Sequence, residues 1–358
     1  MTRRANTGGR RWRTSPGAWS TSSEGNSRMQ PAEQHKMDAM VRSLPAEGMR
    51  WHRQRLLEQT RANTDTIAAE RAVDAIPPTG KPVLLVSAGP SLYRVDPLRW
   101  LSRPDYRRKV VVVATDGAYI RCLNKGIRPD YVLTLDPHPT RIVRWFGDPD
   151  FDRHAHEDDY FCRQDLDIDF RAQHRQMNAN NIRTVDASPV PLVICCSAAT
   201  TVVRRTAKMP RYWFAPLVDS PESDGSLTAE LCDMTGLPAM NTGGTVGNAL
   251  FVFAHAYLQA HSIACVGMDF GYPEGTPLKQ TQSYYMLRDT DGAQDYYPAS
   301  TGIDGRQWFT DPTFAWYRQN LIDLLQAADG ELVNCTGGGL LRGERVHAMD
   351  METWLKSC

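Results

Sequence analysis

The chain has no net charge to offer. Lys plus Arg and Asp plus Glu stand at 41 each in 358 residues. A balanced chain carries no global field to gather nucleic acid or an anionic membrane, which leaves no specific nucleic-acid partner to expect. Also missing is an apolar run long enough to span a bilayer; even the stretch 249–258 is short and holds His255. The eight cysteines form no CxxC pair. Cys195 and Cys196 are adjacent, while Cys122 and Cys265 fall in an expected helix and strand. They read as reduced, mostly buried thiols of a cytoplasmic protein, not as a disulfide framework or a zinc site. The first thirty residues lack aliphatic side chains: 1–28 carries six arginines against one glutamate. Without the apolar core of a secretory signal, Arg3-Arg4 is no export tag, and 1–30 reads as a disordered basic tail. Met29 is an alternative start.

What the chain does have is alternation. Lys81 to Leu92 reads KPVLLVSAGPSL, a buried strand running into a tight turn and a helix start. Gly89 permits the sharp turn, and Pro90 pre-sets a helical φ where no N–H bond is needed. Ser91 puts a hydroxyl beside free helix-start amides, a seat for a phosphate. A second apolar run, 109–115, ends in Asp116 and Gly117, and a helix-like AYIRCLNK follows, closed by Gly126. The third, 131–135, ends in Asp136. This spacing predicts a parallel sheet with right-handed crossovers. Its carboxyl edge, where open α/β sheets bind ligands, would carry Ser87 and Gly89, then Thr115 and Asp116, then Asp136.

A second constellation is NTGGTVGN, 241–248, which opens an apolar helix. Gly243, Gly244 and Gly247 would let backbone amides approach a phosphate, with Thr242 or Thr245 as cap. It is neither a Walker A loop nor GxGxxG. The strand 262–266 follows and ends at Asp269, which could hold Mg²⁺ or a hydroxyl, or cap its own loop.

VSAGPSL, ATDGAYIRCLNKGIRPDYVLTLDP, TGGTVGNA and VGMDFGYPEG, in that order, resemble the 6-hydroxymethylpterin diphosphokinase MptE-like family. That family is shared with the central domain of motility-associated flagellin glycosyltransferases. The resemblance covers 81–275, with a weaker tail at 330–343. It implies a Rossmann-like, mostly parallel α/β fold with flanking helices, similar to bacterial sialyltransferases, and a nucleotide at the GPSL loop. It also implies Mg-dependent diphosphate transfer from ATP to a hydroxymethyl, pterin-like acceptor. GMDFG, 267–271, is similar to the diphosphokinases, which commonly show Asp-Leu-Asp-Gly where this chain has Leu135, Asp136, Pro137 and His138. The tail NCTGGGLLRG, 334–343, looks more like the glycosyltransferase branch, which would use a nucleotide-activated nonulosonate donor and a glycan acceptor. A non-catalytic nucleotide-binding protein is the third reading. In the leading one Ser87, Gly89, Pro90, Ser91, Thr115, Gly117 and the 242–247 loop hold the nucleotide. Asp116, Asp136 and Asp269 position the metal or the attacking hydroxyl, with Asp136 and Asp269 as metal ligands. His138 assists the acceptor or leaving group.

The remainder divides around this core. Residues 31–78 read as a helical appendage, packed on the sheet or serving oligomerisation, that Pro77-Pro78 ends. After Asp136, Arg141 and Arg144 share one helix face, turned to ligand or solvent. The acidic 157–169 lacks the glycine and final Glu of an EF-hand loop and reads as surface. Strands are expected at 181–186, 191–196, 211–215 and 332–334 and helices at 197–208 and 311–328, while 219–226 reads as a mobile loop over the site or a plain surface loop, the latter being the safer reading. The polar, aromatic 280–311 reads as an acceptor-facing insertion within a C-terminal extension, 276–358, of an α/β domain that starts at 79.

Overall fold

The computed structural model describes residues 31–157 and 168–358. The basic tail and most of the acidic segment lie outside the described residues.

Short β-rich runs become strands: β1 (Arg71–Ala72), β2 (Val83–Val86), β3 (Val111–Thr115), β4 (Tyr131–Thr134), β5 (Leu192–Cys195), β6 (Arg211–Leu217) and β7 (Ala239–Asn241). They continue with β8 (Ile263–Val266), β9 (Tyr272–Pro273), β10 (Ala299–Thr301), β11 (Gln307–Phe309), β12 (Leu332–Asn334) and β13 (Val346–Ala348). Ten of them form one sheet in the order β1-β6-β5-β4-β3-β2-β8-β12-β13, with β7 paired to the end of β6. Its strand pairs are all parallel. β10, β11 and β9 make a small antiparallel sheet within the C-terminal extension.

Both faces of the large sheet are covered, which is why its strands are nearly uninterrupted apolar runs. Val83, Leu85, Val113, Leu133, Val193 and Cys265 point to one face, under the helices Val246–Val252 and Pro312–Ala327. The former continues as a π-helical turn, Phe253–Tyr257, so its helical run is longer than its α part. The alternate residues Leu84, Val86, Val112, Ala114 and Ala264 point the other way, among Leu92, Leu98, Cys122 and Trp354. Their counterparts Val132, Leu192 and Ile194 pack with Leu56, Ile67, Tyr119 and Trp213.

One expectation needs correction. Residues 181–186 are not a strand but the end of the helix Ile168–Ala187. Ile182 and Val185 are spaced for a helix face; Val185 joins the core, and a Cβ on Gly147 would strike Ile182. The stretch 219–226 is a surface loop that closes as a capping turn: Asp219 accepts from the Ser226 hydroxyl and the Leu227 and Thr228 amides, and Ser226 caps the helix Leu227–Thr235. The segment 31–78 packs on the sheet and also adds a strand to its edge. The helix Pro31–Ala69 runs into β1, which pairs with β6. Asn63, buried, donates to the Cys196 and Ala198 carbonyls at 2.9 and 2.8 Å, and Glu70 binds Arg211 and the Trp213 indole N–H.

Candidate functional site

Chain order steps outward from β2 through β3, β4, β5 and β6, then returns to the opposite side of β2 with β8, β12 and β13. The sheet therefore has its topological switch point between β2 and β8. Ligands of open α/β sheets sit outside the carboxyl ends at such a point.

The two loops leaving that point are locked together. The Gly89 amide donates to the Gly267 carbonyl at 2.9 Å. A Cβ on Gly89 would lie 2.2 Å from Asp269 Oδ2 and 2.4 Å from the Gly267 oxygen, so only glycine fits. Gly267, at φ +70°, would set a Cβ 2.1 Å from the Ser87 carbonyl. Pro90 precedes a four-residue helix, Ser91–Arg94. Asp269 receives the Ser91 amide at 3.1 Å and also the Ser91 hydroxyl. The helix-start amide that the sequence offers to a phosphate is thus taken by a carboxylate of the chain itself. Asp269 is 2 % exposed, and burial pushes its pKa up to about 6 against the pull of the Ser91 bonds. Its backbone carbonyl also takes the Leu340 amide at 2.7 Å, which draws in the loop after β12.

Across the switch point lies the 242–247 loop. Gly243 and Gly244 take φ of +55° and +81°, a conformation that favours glycine. The Gly243 amide is bound by Asn241 Oδ1 at 2.9 Å, and the Gly243 carbonyl by Asn248 and Asn320. A Cβ on Gly244 would meet Trp316 at 2.8 Å. Thr242 is buried. Thr245 occupies the N-cap of Val246–Val252 without a side-chain cap bond. One turn in, a Cβ on Gly247 would sit 3.4 Å from Ser87 Oγ. That hydroxyl is buried and, among the described residues, has no hydrogen-bond partner; Asn248 Oδ1 is in the same state. Buried polar atoms are normally bonded, so an ordered water or a ligand group would complete these two.

The acids fall into two groups. Thr115 caps the helix Asp116–Asn124 by accepting from the Ala118 amide at 3.2 Å. Asp116, buried, accepts from the Gly117 amide and the Thr134 hydroxyl, both at 2.7 Å. Burial raises its pKa to about 6, those two bonds oppose the rise, and the charge of Asp136 adds to it. Asp136 is half-buried and accepts from the His138 amide at 2.8 Å. His138 Nδ1 faces the Thr140 and Arg141 amides at 3.3 and 3.1 Å, so the neutral ring carries its proton on Nε2. Asp136 follows β4 and Asp269 follows β8, with β3 and β2 between those strands, so the expected metal pair stands on strand ends about 14 Å apart. Among the described residues no three His, Cys, Asp or Glu side chains gather as a metal centre.

Ser87, Gly89, Ser91, Gly267 and Asp269 come together as the sequence suggests, with Gly247 facing Ser87. Trp316, Tyr317 and Asn320, beside the 242–247 loop, were not foreseen. Their helix is remote in the chain from that loop, and Tyr317 carries only a core-like spacing.

These features define a Rossmann-like α/β fold with a candidate ligand rim at its switch point. The family model described as 6-hydroxymethylpterin diphosphokinase MptE-like matches residues 54–147, from the first helix through β4, which bears out the resemblance over that stretch. Among solved structures, the MAf glycosyltransferase from Magnetospirillum magneticum AMB-1 is similar at 14 % identity with a TM-score of 0.48. The match covers 78 % of this chain and 36 % of that one, so this chain spans little more than a third of the neighbour's length. No curated protein matches the chain.

Proposed function

We propose that the chain is a nucleotide-dependent transferase of the MptE-like type, moving diphosphate from ATP to a hydroxymethyl group of a small-molecule acceptor. The observation that carries this reading is the buried, unpartnered Ser87 hydroxyl at the switch point, facing the glycine of an uncapped helix turn. Amides at a helix start and a glycine without a Cβ suit phosphate oxygens. The matched family model supports the transferase class.

In this reading the phosphates lie along Thr242, Gly243, Gly244, Thr245 and Gly247, reached by Ser87. Gly89, Pro90 and Ser91 shape the floor, held by Asp269. Gly117 and Thr115 begin the neighbouring helix, and Asp116 holds the end of β4 through Thr134. Mg²⁺ commonly binds one or two carboxylates plus substrate phosphates. Asp136, half-buried at a strand end, fits such a role. Asp269 does not fit, because both its oxygens are taken by Ser91. An ion there would offset charge on the transferring phosphates. The acceptor hydroxyl oxygen bonds to the β-phosphorus as the bond from that phosphorus to the α,β-bridging oxygen breaks; AMP leaves with that oxygen, and the hydroxyl proton passes to solvent.

A second reading, glycosyl transfer from a nucleotide-activated sugar to a glycan, draws support from Pro137 and His138, which stand where a second acid and a glycine would be. There the Nε2 proton of His138 would serve the leaving group. For either reading the seven described cysteines, all free, support a cytoplasmic setting, and no described helix is long and apolar enough to cross a membrane.

Thermal shifts with a nucleotide panel, with and without Mg²⁺, test the proposal. A Mg-dependent shift with ATP, and AMP release only with acceptor, is the expected result. A shift confined to cytidine nucleotides moves the assignment to glycosyl transfer. Binding without turnover for any acceptor leaves a nucleotide-binding protein, and no shift at all removes the nucleotide site.

A further inference from the structure

A cavity of about 380 Å³ lies outside the carboxyl ends of β12 and β13, and none of the residues placed at the nucleotide lines it. Its walls are tied to one another before any ligand arrives. The Met349 amide, after β13, donates to the Asn334 carbonyl of β12 at 3.1 Å, and the Ile303 amide donates to the Gly339 carbonyl at 2.9 Å. Val95, Trp100, Ile303 and Met349 give the cavity apolar sides, and Met349 is 39 % exposed. Gly337 belongs to the same lining. A Cβ on its neighbour Gly338 would come 2.5 Å from Ser91 Oγ and 3.6 Å from Asp304 Oδ2, so the cavity and the GPSL loop share the 337–339 loop.

Three charged side chains complete the lining: Arg99, Asp304 and Asp350. Arg99 is already engaged, with Nη1 donating to the Val95 carbonyl at 2.7 Å and its guanidinium 5.1 Å from the centre of the Trp100 ring. Asp350 turns both oxygens to Thr353, capping the helix Met351–Ser357. Asp304 differs. Its Oδ1 takes the Trp308 indole N–H at 3.0 Å and the Arg306 amide at 3.2 Å, while Oδ2 has no donor among the described residues. A carboxylate fixed through one oxygen keeps the other for a ligand's N–H, and a charged donor makes the stronger bond. Two carboxylates against one guanidinium leave the lining net negative, which disfavours an anion. Pre-formed, mostly apolar cavities of about 300 Å³ and more, with a few polar groups, are the usual seats of small molecules. Methionine side chains let such walls adapt to a ligand's shape.

We infer that this cavity is a second small-molecule site, for an organic cation whose apolar body lies against Trp100 and Met349 and whose ammonium or amidinium group bonds Asp304. The site does not rest on the transferase reading.

Calorimetric titration of the full chain with benzamidine, and with benzoate and benzyl alcohol as controls of similar size, tests this. Benzamidine is expected to bind saturably, benzyl alcohol roughly tenfold more weakly, and benzoate not at all. Asp304→Asn keeps an oxygen for Trp308 and Arg306 but should weaken benzamidine by roughly tenfold or more. Met349→Ala should weaken it about threefold through lost apolar contact. Because Met349 is exposed, that variant keeps the test intact if Asp304→Asn fails to fold. Benzoate binding as tightly as benzamidine, benzyl alcohol binding equally well, saturable binding that ignores both variants, or no binding at all each overturns the inference. The nucleotide melting shift is a separate readout. Its absence with benzamidine binding intact sinks the nucleotide reading alone, and its presence without benzamidine binding sinks the cavity site alone.

Discussion

Asp269 shows how one side chain can be both legible and misread. Its place after a strand marks it for the rim, and the rim is where it sits, yet its carboxylate turns inward to Ser91. Asp116 and Asp269 both titrate at about 6 in the folded chain instead of 3.8. The folded state therefore holds these protons more tightly than the unfolded one. Their contribution to stability is fully present below about pH 4 and is lost as pH rises through about 6, by up to about 3 kcal/mol each. Asp269→Asn should flatten the fall in unfolding free energy between pH 4 and 6.5. It should cost little at the acid end, because the protonated acid and the amide each offer Ser91 one carbonyl oxygen and one donor. Denaturant titrations at several pH values read this, and an unchanged slope would mean that Asp269 is not the titrating group. Gly89→Ala drives a methyl into Asp269 and the Gly267 carbonyl, so a loss of about 3 kcal/mol is expected in the same assay.

At the scale of an element, the helix that opens at Thr245 separates folding from binding. Gly247 has an ordinary φ, and an added Cβ meets only Ser87 Oγ at 3.4 Å and Met268 at 3.5 Å, both normal contacts. Gly247→Ala should hold or raise stability by about 0.5 kcal/mol, since alanine favours the helix. The same methyl covers the approach to Ser87, so any nucleotide-induced melting shift should shrink by more than half. A variant that binds nucleotide as well as the parent would place the phosphates elsewhere. Gly244 is different: at φ +81° and against Trp316 it is a structural glycine, and substitution there should cost stability first.

The whole molecule depends on a helix that the sequence sets apart. The helix Pro31–Ala69 buries Leu56 and Ile67 in the sheet's core and hands the chain to β1 at the edge beside β6. Asn63→Ala would strip a donor from two buried carbonyls at the end of β5, and a loss of about 2 kcal/mol is expected by denaturant unfolding. Removing residues 31–78 should abolish cooperative unfolding, because it uncovers both the β6 edge and the Trp213 cluster. A truncated chain that melts like the parent would restore the view of this segment as an appendage.

The parallel sheet was written in the chain itself. Continuous apolar runs such as 83–86 and 111–115 can only be strands covered on both faces, and their spacing leaves room for crossover helices. The polar residues that follow each run could therefore be assigned to one rim from order alone. What order does not contain is which side of β2 each later strand takes. The return of β8 beside β2 creates the switch point, and that pairing joins residues nearly two hundred positions apart. Only there does Asp269 find Ser91 and does Gly247 face Ser87. Strand propensity is local and readable, whereas a hydrogen-bond partner or an uncompensated charge is set by neighbours that only the folded chain supplies.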